Sequence, residues 1–441
     1  MQKLRRKRIL EARERMRYIM KKYLPRIADK LLLDALESAG AVLIEGPKWC
    51  GKTRTASECA SSELHMQDPD KRNGYLQTAN TKPSLLLKGE TPRLIDEWQV
   101  APVLWDAVRY EVDLRGEEGQ FILTGSAVPI LDELTTHTGT GRISRIRMRP
   151  MSLYESKESN GQISLGDLFS GGKEVEAISS LSVEDIGIAI VRGGWPTAVT
   201  AKAGLAEKRV RDYVEAIINI DISRVDGVEK NPNKVRALLR SLARNISTEA
   251  SYKTLKGDME GGEAASVSYP TLLAYKNALE RIFVTEDLEA WNPSIRSKAP
   301  LRTTPKRHFV DPSIATALLG IDQNQLLFDF ETFGLLFESL CIRDLRVYAD
   351  LIDGRVYHYR DKSNLECDAI IVLRDGRWGA IEIKLGSFEF DKATSNLKAL
   401  KENINTEKMN EPSFLMIISG TEFGYVREDG IIVVPIGCLR G

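Results

Sequence analysis

Histidine is scarce, with four in 441 residues, and the five cysteines are scattered. Cys50, Cys59, Cys341, Cys367 and Cys438 are odd in number and show no C-x-x-C spacing. Neither a disulfide framework nor a zinc site is indicated. The histidines stand far apart, so each reads as a surface or packing residue rather than a metal ligand. Charge of one sign is missing too, since 62 Lys and Arg balance 62 Asp and Glu. Overall charge therefore makes no case for a nucleic-acid or acidic partner, and any such case must rest on local patches. No apolar run approaches the roughly 20 residues that a membrane helix needs. The first residues are basic but lack the apolar core of a secretory signal. The expectation is a cytoplasmic protein without a membrane partner. A hydrophobic content of 42% with 28% charged residues describes a soluble globular chain. Its length suggests roughly two to four domains.

What is present is concentrated early in the chain. Gly46, Pro47, Lys48, Trp49, Cys50, Gly51, Lys52 and Thr53 run as Gly, four residues, then Gly-Lys-Thr. That is the pattern of a phosphate-cradling loop. The five residues before it are mostly apolar, as a buried parallel strand should be. Arg54 then opens a stretch to residue 60 that can wind as a helix. Backbone N–H groups of such a loop and helix start surround phosphates. Lys52 would reach the β- and γ-phosphates, and Thr53 would offer its hydroxyl to Mg²⁺. Two further strand ends support this reading. Residues 93–96 approach Asp96 and Glu97, where Asp96 would support Mg²⁺ and Glu97 would polarise the attacking water. Residues 120–126 form another apolar strand ending in hydroxyls. There Ser126, with Thr124 as the alternative, would sense the γ-phosphate. The expected ligands are ATP and Mg²⁺.

Residues 1–22 carry ten Lys and Arg side chains beside a thin apolar stripe. They form either a phosphate- or membrane-binding arm or a solvated helix extension, which charge blocks more often are. A helix is expected over 25–36. Residues 41–153 alternate strands and helices, which implies a parallel sheet covered on both faces. A helix is expected over 98–110. Arg142 follows a Gly turn, and would touch a γ-phosphate of its own or a neighbouring subunit, or serve as an ordinary strand-start arginine. Action across subunits would require a homo-oligomer. Residues 161–184 read as a connection, 192–196 as a tight turn and 211–222 as a helix.

Residues 233–291 suggest a winged helix-turn-helix, with one helix near 235–243, a second from Ser268, and a wing made of 283–284 and 288–291. Such units bind DNA through the second helix. That helix offers only Lys276 and Arg281 against Glu280, which favours a structural or protein-contact role. Further on, a helix over 333–348 holds Glu338. Strands are expected over 356–360, 366–373 and 378–384, with a hairpin turn at 374–377. Alternation puts Glu366 with Asp368 on one face, and Glu382 with Lys384 on one face. A hairpin can bring Asp368, Glu382 and Lys384 together, the pattern of a metal-dependent nuclease. Asp368 and Glu382 would hold Mg²⁺, Lys384 would orient water, and Glu338 would add a carboxylate. The bland reading is a hairpin with surface ion pairs.

With these residues in view, the chain resembles the bacterial and archaeal AAA-type ATPases that carry the C-terminal domain DUF4143. The resemblance rests on 46–53, 94–99, 123–126, Gly141-Arg142 before Arg149-Pro150, 193–196, 334–338 and 366–384, and covers about residues 25–386. Trp49-Cys50 stands where many relatives have Gln-Val, at variable positions of the loop. The resemblance implies an α/β protein: a P-loop ATPase domain, a winged-helix segment and a restriction-endonuclease-like end domain. The expected division is a basic extension 1–25, the ATPase domain 26–160, a helical linker or lid 161–230, the winged-helix segment 231–300 and the end domain 301–441. The expected function is a Mg²⁺-dependent ATPase that drives conformational change, with DNA a candidate partner through the end domain. The alternative is an ATP-dependent binding switch with an inactive nuclease fold.

Overall fold

Four consecutive apolar residues in β1 (Ala41–Glu45) are buried, which requires cover on both faces of the strand. In the computed structural model, β1 has β4 (Phe121–Gly125) on one side and β5 (Ile143–Arg147) on the other. With β2 (Ser62–His65) and β3 (Arg93–Asp96) they form a parallel sheet in the order β2-β3-β4-β1-β5. The structure describes residues 23–126, 141–172, 174–202, 204–225, 227–261, 266–293, 303–404 and 409–441. The expected basic arm, 1–22, lies outside them.

Because all five strands point the same way, the loop after β1 and the ends of β3 and β4 emerge on one edge. The helices Ile27–Leu36 and Lys52–Cys59 form close to where they were expected. The helix expected over 98–110 is displaced. Trp98–Val100 is a 3₁₀ turn, and the helix runs Val103–Arg115. Pro102 cannot donate inside a helix and so sits at its start. Trp98 and Trp105 are buried against one another, ring centroids 5.0 Å apart. Strand β2 was not expected, because its sequence Ser-Glu-Leu-His buries only Leu64 at a sheet edge.

The second sheet has seven strands. In order they are Ala177–Ile178, Phe423–Val426, Ile432–Pro435, Leu415–Ser419, Trp378–Lys384, Glu366–Leu373 and Gly354–Arg360. The expected hairpin is present: Trp378 pairs antiparallel with Val372, and Gly376 takes φ 85° at the turn. Helix Phe330–Asp350 packs against this sheet. Residues expected to be a plain connection form strands instead. Ile178 joins this sheet by pairing with Phe423, while Ile163 pairs with Leu439 in a separate two-stranded sheet.

Between the sheets lie helices Leu205–Ala216, Pro232–Arg244, Tyr252–Glu260 and Tyr269–Arg281. The third was not expected; Ser251 caps it through the Thr254 amide. The expected wing pairing is corrected. Residues 285–288 pair with 306–309, through the bridges Thr285 to Phe309 and Leu288 to Lys306. Residues 285–287, which would have to make the turn of the expected wing, lie instead in the extended segment that pairs with 306–309. Helix Ser313–Leu319 packs on Leu205–Ala216 and Pro232–Arg244, so the expected boundary at 301 cuts through one packed unit. No helix among the described residues is long and apolar enough to cross a membrane.

Candidate functional site

The loop between β1 and helix Lys52–Cys59 is shaped by its glycines. Gly51 takes φ 106°, which L side chains rarely adopt. A Cβ on Gly46 would lie 2.1 Å from the Met148 carbonyl oxygen. Trp49 is left-handed at φ 68° without being glycine, a conformation that costs on the order of 1–3 kcal/mol and clusters at functional sites. Lys52 is buried and curls back across the loop, its Nζ donating to the carbonyls of Gly46 at 2.9 Å and Pro47 at 2.7 Å. Arg26 braces the loop from below. It donates to the carbonyl of buried Cys50 at 2.8 Å and to that of Arg149 at 2.8 Å, and pairs with Glu155.

The acids arrive beside this loop. Thr53 Oγ1 donates to Asp96 Oδ1 at 2.7 Å, and Thr124 Oγ1 donates to the same oxygen at 2.7 Å. His65 Nδ1 lies 3.2 Å from the other oxygen, Oδ2. Burial alone would lower the His65 pKa, but its bonds to Asp96 and Glu63 outweigh that and raise it. Glu97 is left-handed at φ 55°, and its amide donates to Thr124 Oγ1 at 3.1 Å. Its Oε2 accepts from Ser126 Oγ at 3.1 Å and from Gln99 Nε2. Thr124 therefore positions Asp96 and Glu97 together, while Ser126 holds the Glu97 carboxylate. A hydroxyl and a carboxylate converging from Thr53 and Asp96 are oxygen ligands, the kind a hard cation such as Mg²⁺ prefers.

A cleft of about 760 Å³ opens over Lys52, Thr53 and Arg54 and runs past Trp49 to Tyr23 and Pro196. This is within the ordinary size of a small-molecule site. A second cavity of about 190 Å³ continues beyond Glu97 and Ser126. Helix Leu205–Ala216 and the π turn Ile217–Asp221 after it form the opposite wall. Trp49 meets Tyr213 at 5.2 Å between ring centroids, and Lys48 Nζ lies 2.5 Å from Asp221 Oδ1. Arg224 lines both cavities, in company with Lys48 and Glu97. Sequence reasoning missed it, as nothing local marks one arginine among many as facing a cleft. Gln99 was also missed, although its place two residues after Glu97 was a usable hint.

Of the alternatives for Arg142, the structure fits the strand-start arginine and corrects the contact with its own chain's γ-phosphate. Arg142 stands at the start of β5, its carbonyl accepting from the Ala41 amide at 3.1 Å and its side chain paired with Asp113. The length of β1, about 16 Å at strand rise, separates that end from the loop. Parallel pairing thus keeps Arg142 from the phosphate loop of its own chain. Arg54 lines the cleft and pairs with Glu58.

In the second sheet the structure brings Asp368, Glu382, Lys384 and Glu338 together. Lys384 Nζ is 2.9 Å from Asp368 Oδ2 and 2.8 Å from Glu382 Oε2. A residue that sequence reasoning missed, Lys306, is 2.8 Å from Glu338 Oε1 and 3.3 Å from Asp368 Oδ1. Burial pushes Glu338 up to about 7, and burial with the Asp368 carboxylate beside it pushes Glu382 up as well. Burial would raise Asp368 too, but the ammoniums of Lys306 and Lys384 on its two sides outweigh it and hold the carboxyl well below its usual range. Among the described residues, no three His, Cys, Asp or Glu side chains are arranged to hold a metal ion. The expected surface of the second helix also changes. Lys276 is fully buried and pairs with Glu280 and Asp287, so its charge faces the interior.

A central strand, a glycine loop, a helix carrying Lys-Thr, and acids on the neighbouring parallel strand define a P-loop nucleotide-binding protein. Residues 38–157 match the family described as AAA domain, and residues 333–439 match the domain of unknown function DUF4143. The chain thus carries an AAA domain and, near its C-terminal end, a DUF4143 domain. Residues 183–325 between them match a further domain of unknown function, DUF8612. Uncharacterized proteins of Mycobacterium tuberculosis and Mycobacterium bovis are each 26% identical over 358 residues, covering 79% of this chain and 71% of the relative. Among solved structures, a Walker-type ATPase of Pyrococcus abyssi is similar at 15% identity and TM-score 0.43, covering 67% of this chain and 96% of that one. The Drosophila ORC bound to DNA is similar at 11% identity and TM-score 0.21, covering 59% of this chain and 86% of that one. At these TM-scores neither likeness bears on function.

Proposed function

We propose that the chain binds ATP with Mg²⁺ in the cleft above Lys52 and hydrolyses it there. The observation that carries this is the meeting of Thr53 and Asp96 at 2.7 Å beside the loop lysine, with Glu97 next along the strand end. Backbone N–H groups of residues 48–54 surround the phosphates, and Lys52 exchanges its loop carbonyls for phosphate oxygens. Thr53 and Asp96 hold Mg²⁺, which neutralises phosphate charge when bound. Glu97, released from Ser126 and Gln99, takes the proton of the attacking water, and Ser126 is left to hold that water. Arg224 meets the charge that develops on the γ-phosphate, the role for which Arg142 is misplaced.

The lid contacts of Trp49 and Lys48 support a second part of the reading: ATP turnover is coupled to movement of the middle segment. On this reading the three helices and antiparallel arm of that segment serve as a winged helix, and the hairpin with Asp368, Glu382 and Lys384 belongs to a nuclease-like domain. The inward burial of Lys276 favours a protein partner for the middle segment over DNA.

The test is ATP hydrolysis by the full chain with Mg²⁺, with and without duplex DNA followed on a gel. Turnover in the parent and its loss in Lys52→Ala is the expected result. Normal turnover in Lys52→Ala refutes the site.

A further inference from the structure

The carboxylates of the end domain come from three elements. Glu338 lies on helix Phe330–Asp350, Asp368 on strand Glu366–Leu373, and Glu382 on its neighbour Trp378–Lys384. Acids gathered in a buried place repel one another and need cations nearby. Lys384 answers part of this from within the same sheet, bonded to Asp368 and Glu382. The remainder is answered from outside the DUF4143 match, which begins at residue 333. Lys306 reaches in from the preceding arm and sits between Glu338 and Asp368. Asp368 is thus held on its two oxygens by two different ammonium groups.

The arm that carries Lys306 is itself fixed. Its amide and carbonyl exchange hydrogen bonds with Leu288 at 3.0 and 2.9 Å. The next residue, Arg307, pairs with Asp287 and donates to the Ala250 carbonyl at 2.9 Å. Burying a long lysine costs rotamer freedom and hydration, so its place among these acids is a specific one. An ammonium brings one charge and no open coordination position. A divalent ion would bring two charges and could polarise water.

We propose that Lys306 is a tethered cation, holding between Glu338 and Asp368 the place these carboxylates would otherwise give to a divalent ion. The arm at 303–309 then closes the end domain to metal for as long as it lies there. Withdrawing Lys306 leaves two carboxylates facing each other, with Glu382 and Lys384 alongside. The proposal rests on the metal-binding part of the nuclease-like reading of this cluster, not on cleavage of DNA.

The test uses the nucleotide-free full chain as parent, Lys306→Ala, Lys306→Gln, and each variant combined with Asp368→Asn. Melting temperature is measured in EDTA and in Mn²⁺. Mn²⁺ should raise the melting temperature of Lys306→Ala by several degrees, because an ion that binds only the folded state stabilises it. It should leave the parent and the Asp368→Asn combinations unmoved, and the latter also control for Mn²⁺ at the phosphate loop. No rise in Lys306→Ala, or the same rise in the parent and the Asp368→Asn combinations, overturns the proposal. Glutamine keeps a donor toward the acids and an oxygen toward a metal, so Lys306→Gln carries the test where the alanine variant does not fold. Failure of both variants to fold even with Mn²⁺ present overturns it too, since a site that accepts the ion would be rescued by it. Incubation with plasmid DNA in the same tubes tests the nuclease-like reading separately. A Mn²⁺ response without cutting leaves the tethered cation standing and counts against the nuclease-like reading.

Discussion

Glu286 joins the three parts of this chain, and replacing it by glutamine removes the joint's one shared charge while keeping its shape. Arg149, just past the parallel sheet, reaches Glu286 at 2.8 Å and Asp350 of the end domain at 2.7 Å. Arg147 lies 3.2 Å from Glu286, and Arg346 lies 3.7 Å from it. Burial would raise the Glu286 pKa, but these arginines outweigh it and hold the carboxyl well below its usual range. At an effective dielectric of about 20, one contact near 3 Å is worth about 5 kcal/mol before desolvation is subtracted. Breaking a buried pair by removing one partner costs about 3–5 kcal/mol net, because the other charge is stranded. Glu286→Gln leaves buried Arg149 with Asp350 alone and buried Arg346 with Asp287 and backbone carbonyls, so the expected loss is about 4 kcal/mol. Arg149→Met should cost about half as much, since Glu286 keeps Arg147 and Arg346. The double variant should lose less than the sum, because methionine removes one of the stranded charges. Urea unfolding followed by tryptophan fluorescence reads all three variants. A loss below about 1 kcal/mol for Glu286→Gln, or a double variant worse than the sum, would refute the reasoning.

The remaining predictions concern the cleft and one buried histidine. Glu97→Gln should keep ATP binding and lower turnover by about 10²–10⁴-fold, the usual worth of a positioned base; weakened binding measured by calorimetry would argue against that role. Arg224→Ala should lower kcat by at least about 10²-fold with KM little changed, while Arg142→Ala should stay within about 2-fold of the parent; the reverse pattern in steady-state kinetics would return the role to Arg142. Burial, with Lys306 nearby, pushes His358 down to about 4. Unfolding frees it to take up a proton near pH 6.5, so its contribution is complete above that pH and is lost as pH falls toward 4. The loss is about 3 kcal/mol at most. Urea midpoints between pH 7 and 4 should therefore fall more steeply for the parent than for His358→Gln, and equal slopes would contradict this.

Much of the phosphate site was legible because its chemistry is local. Gly46, Gly51, Lys52 and Thr53 lie within eight residues, and strand, loop and helix follow directly from their neighbours. Asp96, Glu97 and Ser126 were legible because apolar runs ending in polar groups mark strand ends. The hairpin with Asp368, Glu382 and Lys384 was read from period-two alternation, and the structure brings those side chains together. Strand β2 was not legible, because an edge strand with one buried side chain carries no apolar run. The joining of Ile178 to Phe423 escaped for a different reason: a two-residue strand has no period to detect.

The sequence by itself determined the loop, the order of the three strand ends and the hairpin, since each depends on residues that are neighbours in the chain. Tertiary structure decided everything that depends on distant segments meeting. Parallel strand direction placed Arg142 at the end of the sheet opposite the loop, and packing of the helices from Leu205 to Arg224 over the cleft left Arg224 facing it. Folding of the arm placed Lys306 between Glu338 and Asp368. It also turned Lys276 inward. A lysine or arginine can lie on the surface or in the interior, because its long stem packs in either place. Which place it takes depends on where the opposing acids lie once the chain is packed, and no local pattern records that.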